Sequence, residues 1–207
     1  MGLHSDFERD LIQKNSYDCV VGIDEVGRGS WAGPVAVGGY IFTMEDDEVE
    51  GVNDSKLIRK EKRISIHALL KNYKHRIIYR DIDEIDSIGI GKSIQNCIIE
   101  IIESVYSEFN NPFFIVDGQF SIDFGKNVLK RNKADSTFYS VAAASILAKV
   151  ERDARMVELN KLYSNYFFDS NVGYPTRKHI DALQKYGPSQ VHRKSFKPIR
   201  ELALRLI

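Results

Sequence analysis

Asp24 and Glu25 stand side by side where an apolar run, Cys19-Val20-Val21-Gly22-Ile23, gives way to Gly27-Arg28-Gly29. Burying adjacent carboxylates costs several kcal/mol each without partners, so a strand that ends in them needs solvent, cations or both. Side chains alternate along a strand, so both acids reach one point only if the chain bends. Glycines supply the bend and let another molecule approach the backbone. A metal ion at the strand end accounts for this pattern; a solvated turn with an incidental acid pair is the plainer alternative on this segment alone. Asp117, in Phe113-Phe114-Ile115-Val116-Asp117-Gly118, is a second case of an apolar strand that ends in an acid and a glycine. Asp135, in Lys133-Ala134-Asp135-Ser136, precedes a long helical stretch whose positive dipole end keeps a carboxylate ionised.

In open α/β sheets ligands gather at the carboxyl ends of strands, so neighbouring strands bring Asp24, Glu25 and Asp117 together. Three or four carboxylates without clustered Cys or His make a hard oxygen site, suited to Mg2+ or Mn2+ and not to zinc. Acids this close repel, and divalent cations relieve the repulsion. Such sites handle phosphates, and two ions about 4 Å apart clamp the attacking and leaving oxygens of a phosphodiester.

The elements that must position these acids read as alternating strands and helices. An amphipathic helix over 6–14 leads into a strand at 18–24, with a second strand from Val35 to Phe42 hairpinned to it. The acidic run Glu45 to Glu50 is a loop, Ser55 or a neighbour caps a helix near 60–72, and His75 to Tyr79 is another strand. Over 90–109 the residues Ile94, Cys97, Ile98, Ile101, Ile102, Val105 and Phe109 form one apolar stripe, which Asn110-Asn111-Pro112 ends. A helix over 137–165 carries Ala142-Ala143-Ala144-Ser145 for close packing on a sheet. Thr176 starts a further helix, closed by Gly187-Pro188. The pattern predicts an α/β sheet covered by helices.

With 207 residues and 43% apolar content, the chain is expected to be one domain over 1–207 and to need no disulfide or structural metal to fold. About 1–16 form an N-terminal extension and about 155–207 a helical C-terminal part. Cys19 and Cys97 lie in apolar segments and read as core residues of a protein in a reducing cytoplasm. The first residues lack a signal-peptide pattern, and no run approaches about 18 apolar residues, so no membrane span is expected. The 29 basic and 29 acidic residues argue against indiscriminate coating of nucleic acid, yet leave room for a local basic face. Arg177-Lys178-His179, Lys185 and His192-Arg193-Lys194 concentrate such charge in the last third. A solvated face explains runs of this kind more often than not.

Gly22 to Pro34 resembles the opening motif of the type 2 ribonucleases H, and of the bacterial ribonuclease HII family in particular. Asn53-Asp54-Ser55-Lys56-Leu57, Val116-Asp117-Gly118, Ala142 to Asp153, and Gly173-Tyr174 to Ser195-Phe196 match the same family in the same order. The resemblance implies a ribonuclease H-like fold, with a mixed five-stranded sheet flanked by helices. It implies cleavage of RNA in RNA–DNA hybrids and of DNA duplexes containing ribonucleotides, leaving 3′-hydroxyl and 5′-phosphate ends. The implied metal ligands are Asp24, Glu25, Asp117 and Asp135, holding Mg2+ or Mn2+, two ions with substrate bound. Gly27, Arg28 and Gly29 would read the ribose 2′-hydroxyl, the group that separates RNA from DNA. Tyr174 would stack on the following sugar. The Gly-Arg-Gly argues against ribonuclease HIII.

Lys56 is expected at a phosphate near the metal, and Arg193 and Lys194 on backbone phosphates, which position a duplex without reading sequence. Ser145 and Lys149 fit packing and phosphate contact equally. Asp153 is expected to pair with Arg152 or another basic residue, and His192 and Ser195 lack the nucleophile elbow that hydrolysis through a serine needs. Trp31 replaces a smaller aliphatic and is expected beside the substrate groove. Phe168 to Val172 reads as a loop without the basic residue common before the Gly-Tyr. A dinucleotide-binding reading fails, because Gly27 to Gly33 is one residue too long for G-x-G-x-x-G and Pro34 follows where the helix should run. A hybrid-binding module without activity is the remaining alternative; a monomer is the expected state.

Overall fold

The structure is a computed structural model that describes residues 2–120 and 123–205. Its sheet has the order β3-β2-β1-β4-β5, built from β1 (Cys19–Val26), β2 (Val35–Phe42), β3 (His75–Arg80), β4 (Pro112–Asp117) and β5 (Val128–Arg131). Every residue of β2 is buried, as its unbroken apolar sequence requires of a strand covered on both faces. β1 runs parallel to β4, with Cys19 opposite Pro112 and Ile23 opposite Val116. β4 runs parallel to β5, with Asp117 opposite Arg131. The sheet is mixed and flanked by helices, as expected.

The helices are α1 (Asp6–Asn15), α2 (Lys60–Leu70), α3 (Ile82–Ile88), α4 (Ile90–Tyr106), α5 (Tyr139–Leu162), α6 (Phe168–Asn171), α7 (Arg177–Tyr186) and α8 (Lys197–Arg205). The small side chains of α5 let it reach the strands at backbone distance. A Cβ added at Gly22 would overlap the Ser140 and Val141 backbone, and one at Gly38 the Ala144 carbonyl. Glu8 of α1 closes the start of α5, its Oε1 accepting from both the N–H and the hydroxyl of Ser140 at 2.8 Å.

Several boundaries differ from expectation. Ser55 caps nothing: Arg59 holds the N-cap position of α2, and the Ser55 hydroxyl is buried 2.9 Å from that of Ser145. The helix over 90–109 ends at Tyr106, and the stretch before it folds as the separate α3. Residues 168–172, read as a loop, begin with the short helix α6. Thr176 does cap α7, its side chain accepting from the His179 N–H, and Gly187 ends it.

By internal contacts the chain forms two compact units. The first holds residues up to Glu25, Val37–Ile78 and Gln95–Val150, with most of the sheet and a core that includes Val20, Tyr40, Phe42, Ile115 and Leu147. Cys19 and Cys97 are buried in it. The second holds Val26–Ala36, Tyr79–Ile94 and the chain from Glu151 on, around Ala32, Met156, Phe168, Leu183 and Ile199. No helix among the described residues is long and apolar enough to cross a membrane.

Candidate metal centre and the turn that follows it

The parallel register of β1 and β4 sets Ile23 opposite Val116, so its next step brings Asp24 beside Asp117 at the carboxyl ends of both strands. Asp135 enters from a 3-10 turn, Ala134–Ser136, just before α5. Carboxylate oxygens of Asp24, Asp117 and Asp135 all lie within 4.8 Å of one another. Asp24 and Asp135 are nearly buried, at 6% and 3% exposure. The Glu25 N–H donates to Asp24 Oδ1 and the Ala134 N–H to Asp117 Oδ1, each at 2.8 Å. Glu25, the fourth acid of the sequence reading, is not in this converging set, but its charge acts on Asp24.

Burial raises the Asp24 carboxyl well above the usual range. The charge of Glu25 adds most to this, with Asp117 and Asp135 behind it, and a hydrogen bond from Ser145 opposes them. Burial also raises Asp117, helped by Asp135 and opposed by the Ala134 N–H and Lys56. Lys56 Nζ sits 3.2 Å from Asp135 Oδ2 on a largely exposed side chain. Partial burial pulls its ammonium down, but Asp135 outweighs this and raises it, with Asp24 and Asp54 adding. An oxygen-only donor set in which neighbouring carboxylates raise Asp24 and Asp117 fits a hard divalent cation. Ser145 resolves as a buried packing and hydrogen-bonding residue of this cluster.

In the second unit, Gly27 has φ 89°, and a Cβ there would overlap the Arg152 guanidinium. Both demands select glycine. Arg28 and Gly29 are exposed, and a Cβ added at Gly29 would lie 3.9 Å from the Tyr174 ring. Arg193 does not face phosphate as expected. It is fully buried, and its guanidinium donates to the carbonyls of Gly33 at 3.0 Å, Gly27 at 2.7 Å and Arg28 at 3.2 Å. A guanidinium holds five donors in a rigid fork, so it can gather carbonyls that one turn points inward. Arg152, also fully buried, gives its hydrogens to Pro34 O, Val172 O and the Ser30 hydroxyl at 2.8 to 3.0 Å.

Val172 has φ 44°, a rare conformation for a β-branched residue, followed by Gly173 at φ 85°. This strained pair delivers Tyr174, whose half-buried ring lies 5.7 Å from the Arg152 guanidinium carbon. Trp31 is half-buried against the core of this unit, its main-chain N–H donating to Gly173 O at 2.8 Å. Lys194 keeps an exposed side chain while its N–H, like that of Ser195, donates 2.9 Å to the Asp86 carboxylate. Sequence reasoning missed Arg152, His179 and His192 as organisers. Arg152 lies in a charged run that reads as surface, and only Arg177-Lys178-His179 and His192-Arg193-Lys194 hinted that the basic stretch mattered.

A mixed five-stranded sheet with three carboxylates converging beside the carboxyl ends of its central strands fits a metal-dependent nuclease of ribonuclease H type. The family model for Ribonuclease HII matches residues 21–199, and the chain belongs to that family. The ribonuclease HII of Aliarcobacter butzleri (strain RM4018) is 43% identical over 178 residues, covering 85% of this chain and 89% of the relative. Among solved structures, ribonuclease H2 from Pyrococcus horikoshii OT3 matches with a TM-score of 0.73 at 22% identity, over 90% of this chain and 98% of that one. Bst-RNase HIII in complex with Mn2+ matches at 0.69 and 18%, over 95% and 72%. These two likenesses concern the fold. The protein is a ribonuclease that depends on metal, and the reading as a binding module without activity falls away.

Proposed function

We propose that the enzyme cuts the RNA of RNA–DNA hybrids and nicks duplex DNA 5′ to an embedded ribonucleotide, leaving 3′-hydroxyl and 5′-phosphate ends. The observation that carries this reading is the convergence of Asp24, Asp117 and Asp135 within 4.8 Å. With Glu25 they would hold Mg2+ or Mn2+, two ions once substrate is bound; the Mn2+ complex of Bst-RNase HIII supports that choice. Ions held there supply a water of lowered pKa and offset the charge of the phosphate. Exposed Arg28 and Gly29 offer backbone to the ribose 2′-hydroxyl, Tyr174 stacks on the next sugar, and Lys56 and Lys194 meet phosphates. Buried Arg193 holds the turn that makes this approach possible. The same reading takes residues 1–207 as one catalytic domain acting as a monomer in the cytoplasm.

A labelled DNA duplex with one ribonucleotide, incubated with Mg2+, with Mn2+ and with EDTA, tests the proposal. Metal-dependent nicking on the 5′ side of the ribonucleotide is expected. Cleavage restricted to longer RNA stretches would remove the junction roles of Gly27, Arg28, Gly29 and Tyr174 while leaving a nuclease.

A further inference from the structure

Two histidines that the reaction does not use lie in the second unit with no solvent exposure: His179 on α7, and His192, which bridges to Ala32. Their rings meet Nε2 to Nε2 at 3.1 Å, so one of these nitrogens carries a hydrogen and the other does not. The outer contacts decide which. The Ser189 N–H, a donor only, points at His192 Nδ1 at 2.9 Å, with the Ser189 hydroxyl 2.8 Å away. His192 Nδ1 is therefore bare, and its Nε2–H donates to His179 Nε2. His179 then carries its hydrogen on Nδ1, which donates at 2.9 Å to the main-chain carbonyl of Tyr174. A carbonyl only accepts, so the directions agree at both ends. The hydrogen bonds run one way from Ser189 through His192 and His179 to Tyr174, with both rings neutral.

Apolar neighbours keep this path dry. The Tyr166 ring stands 4.7 Å from His192, and Phe168 stands 5.5 Å from His179. The path ends on the residue that follows the strained Val172-Gly173 pair. The Tyr174 carbonyl accepts at the same time from the Thr176 N–H at 2.8 Å, so both of its lone pairs are engaged.

We propose that the His179–His192 pair is a positioning device: by fixing the main chain of Tyr174, it sets how strongly the enzyme favours a single embedded ribonucleotide over a continuous hybrid. This rests on the role given to Tyr174 above. A ring that checks a sugar must be held within about half an ångström, and the chain leading to this one is strained. Without the imidazole donor, Thr176 alone would hold the Tyr174 carbonyl.

His179→Asn keeps an N–H where Nδ1 stood, while His179→Leu keeps the bulk without the donor. Both variants, Tyr174→Ala and the parent are assayed for kcat and KM on a single-ribonucleotide duplex and on a continuous hybrid. The ratio of kcat/KM between the two substrates should fall about tenfold in His179→Leu and at least as far in Tyr174→Ala. It should recover to within about threefold in His179→Asn. Imidazole 15N spectra of the parent need no variant and should show His192 as the Nε2–H and His179 as the Nδ1–H tautomer. Equal loss on both substrates in His179→Leu, no recovery in His179→Asn, or the opposite tautomers would overturn the proposal. A ratio that moves with Tyr174→Ala but not with His179→Leu would overturn the positioning role alone. A ratio unmoved by Tyr174→Ala would overturn the tyrosine's role as well.

Discussion

The first unit gathers three carboxylates, two of them nearly buried, with the exposed Lys56 beside them. The second buries two guanidiniums and gives their hydrogens mainly to main-chain carbonyls. In one place like charges press on one another and push protons back onto Asp24 and Asp117; in the other, each buried cation meets oxygens the backbone already had to satisfy. Charge left in conflict within a protein is charge kept for another molecule. Charge whose hydrogens go to carbonyls within it is architecture. Lys56 and Arg193 look alike in the sequence, as basic residues beside matched motifs, and they fall on opposite sides of this line.

The two units differ most visibly at the acids. Asp117→Asn should lower kcat by about 10³-fold or more, while the melting temperature without metal stays level or rises, because a repelling carboxyl is gone. A matching loss of stability in urea would show that the acids also hold the fold. Arg193→Met should behave in the reverse sense: three turn carbonyls lose their donor, at a cost of about 3 kcal/mol in urea unfolding. Unchanged stability in that variant would mean the turn finds other partners.

Acid sharpens the contrast further. Burial, with the neighbouring His179, pushes His192 down to about 3, against an ordinary value near 6.5. The unfolded chain therefore binds a proton there that the fold refuses. The stability this gives is complete above about pH 6.5 and is lost as pH falls toward 3, at up to about 1.4 kcal/mol per pH unit. Asp24 and Asp117, raised in the fold, work in the opposite direction. The measurement is thus the difference in urea stability between the parent and His192→Asn at pH 7 and pH 5, which should shrink at the lower pH. The smallest effect is expected at Lys56→Ala: weaker binding of every duplex by a few-fold, with the salt slope of binding reduced by about one.

The acids were legible because strand-end carboxylates violate the pattern of an apolar strand, and their residue types alone name the chemistry. Parallel pairing of β1 with β4 then follows from two apolar runs that end alike. β5 was not legible, since Val128–Arg131 is short and half polar, and α3 hides in a stretch without a full apolar stripe. Arg193 was misread for a physical reason: a guanidinium's fate depends on which carbonyls the fold turns toward it, and sequence spacing carries no trace of that. The histidine pair escaped likewise, because thirteen residues separate partners that only the tertiary structure joins.

Cys19 opens the strand that carries Asp24. It has no exposed surface, and burial, with Asp18, pushes its thiol up to about 12. Thiol reagents attack the thiolate, and here that form is both rare and walled off. Modification of Cys19 at neutral pH can therefore advance only as often as the middle of the sheet comes apart. The chain thus carries a built-in clock for the opening of the strand on which its carboxylates depend, and a cysteine engineered onto the surface would react long before that clock had run.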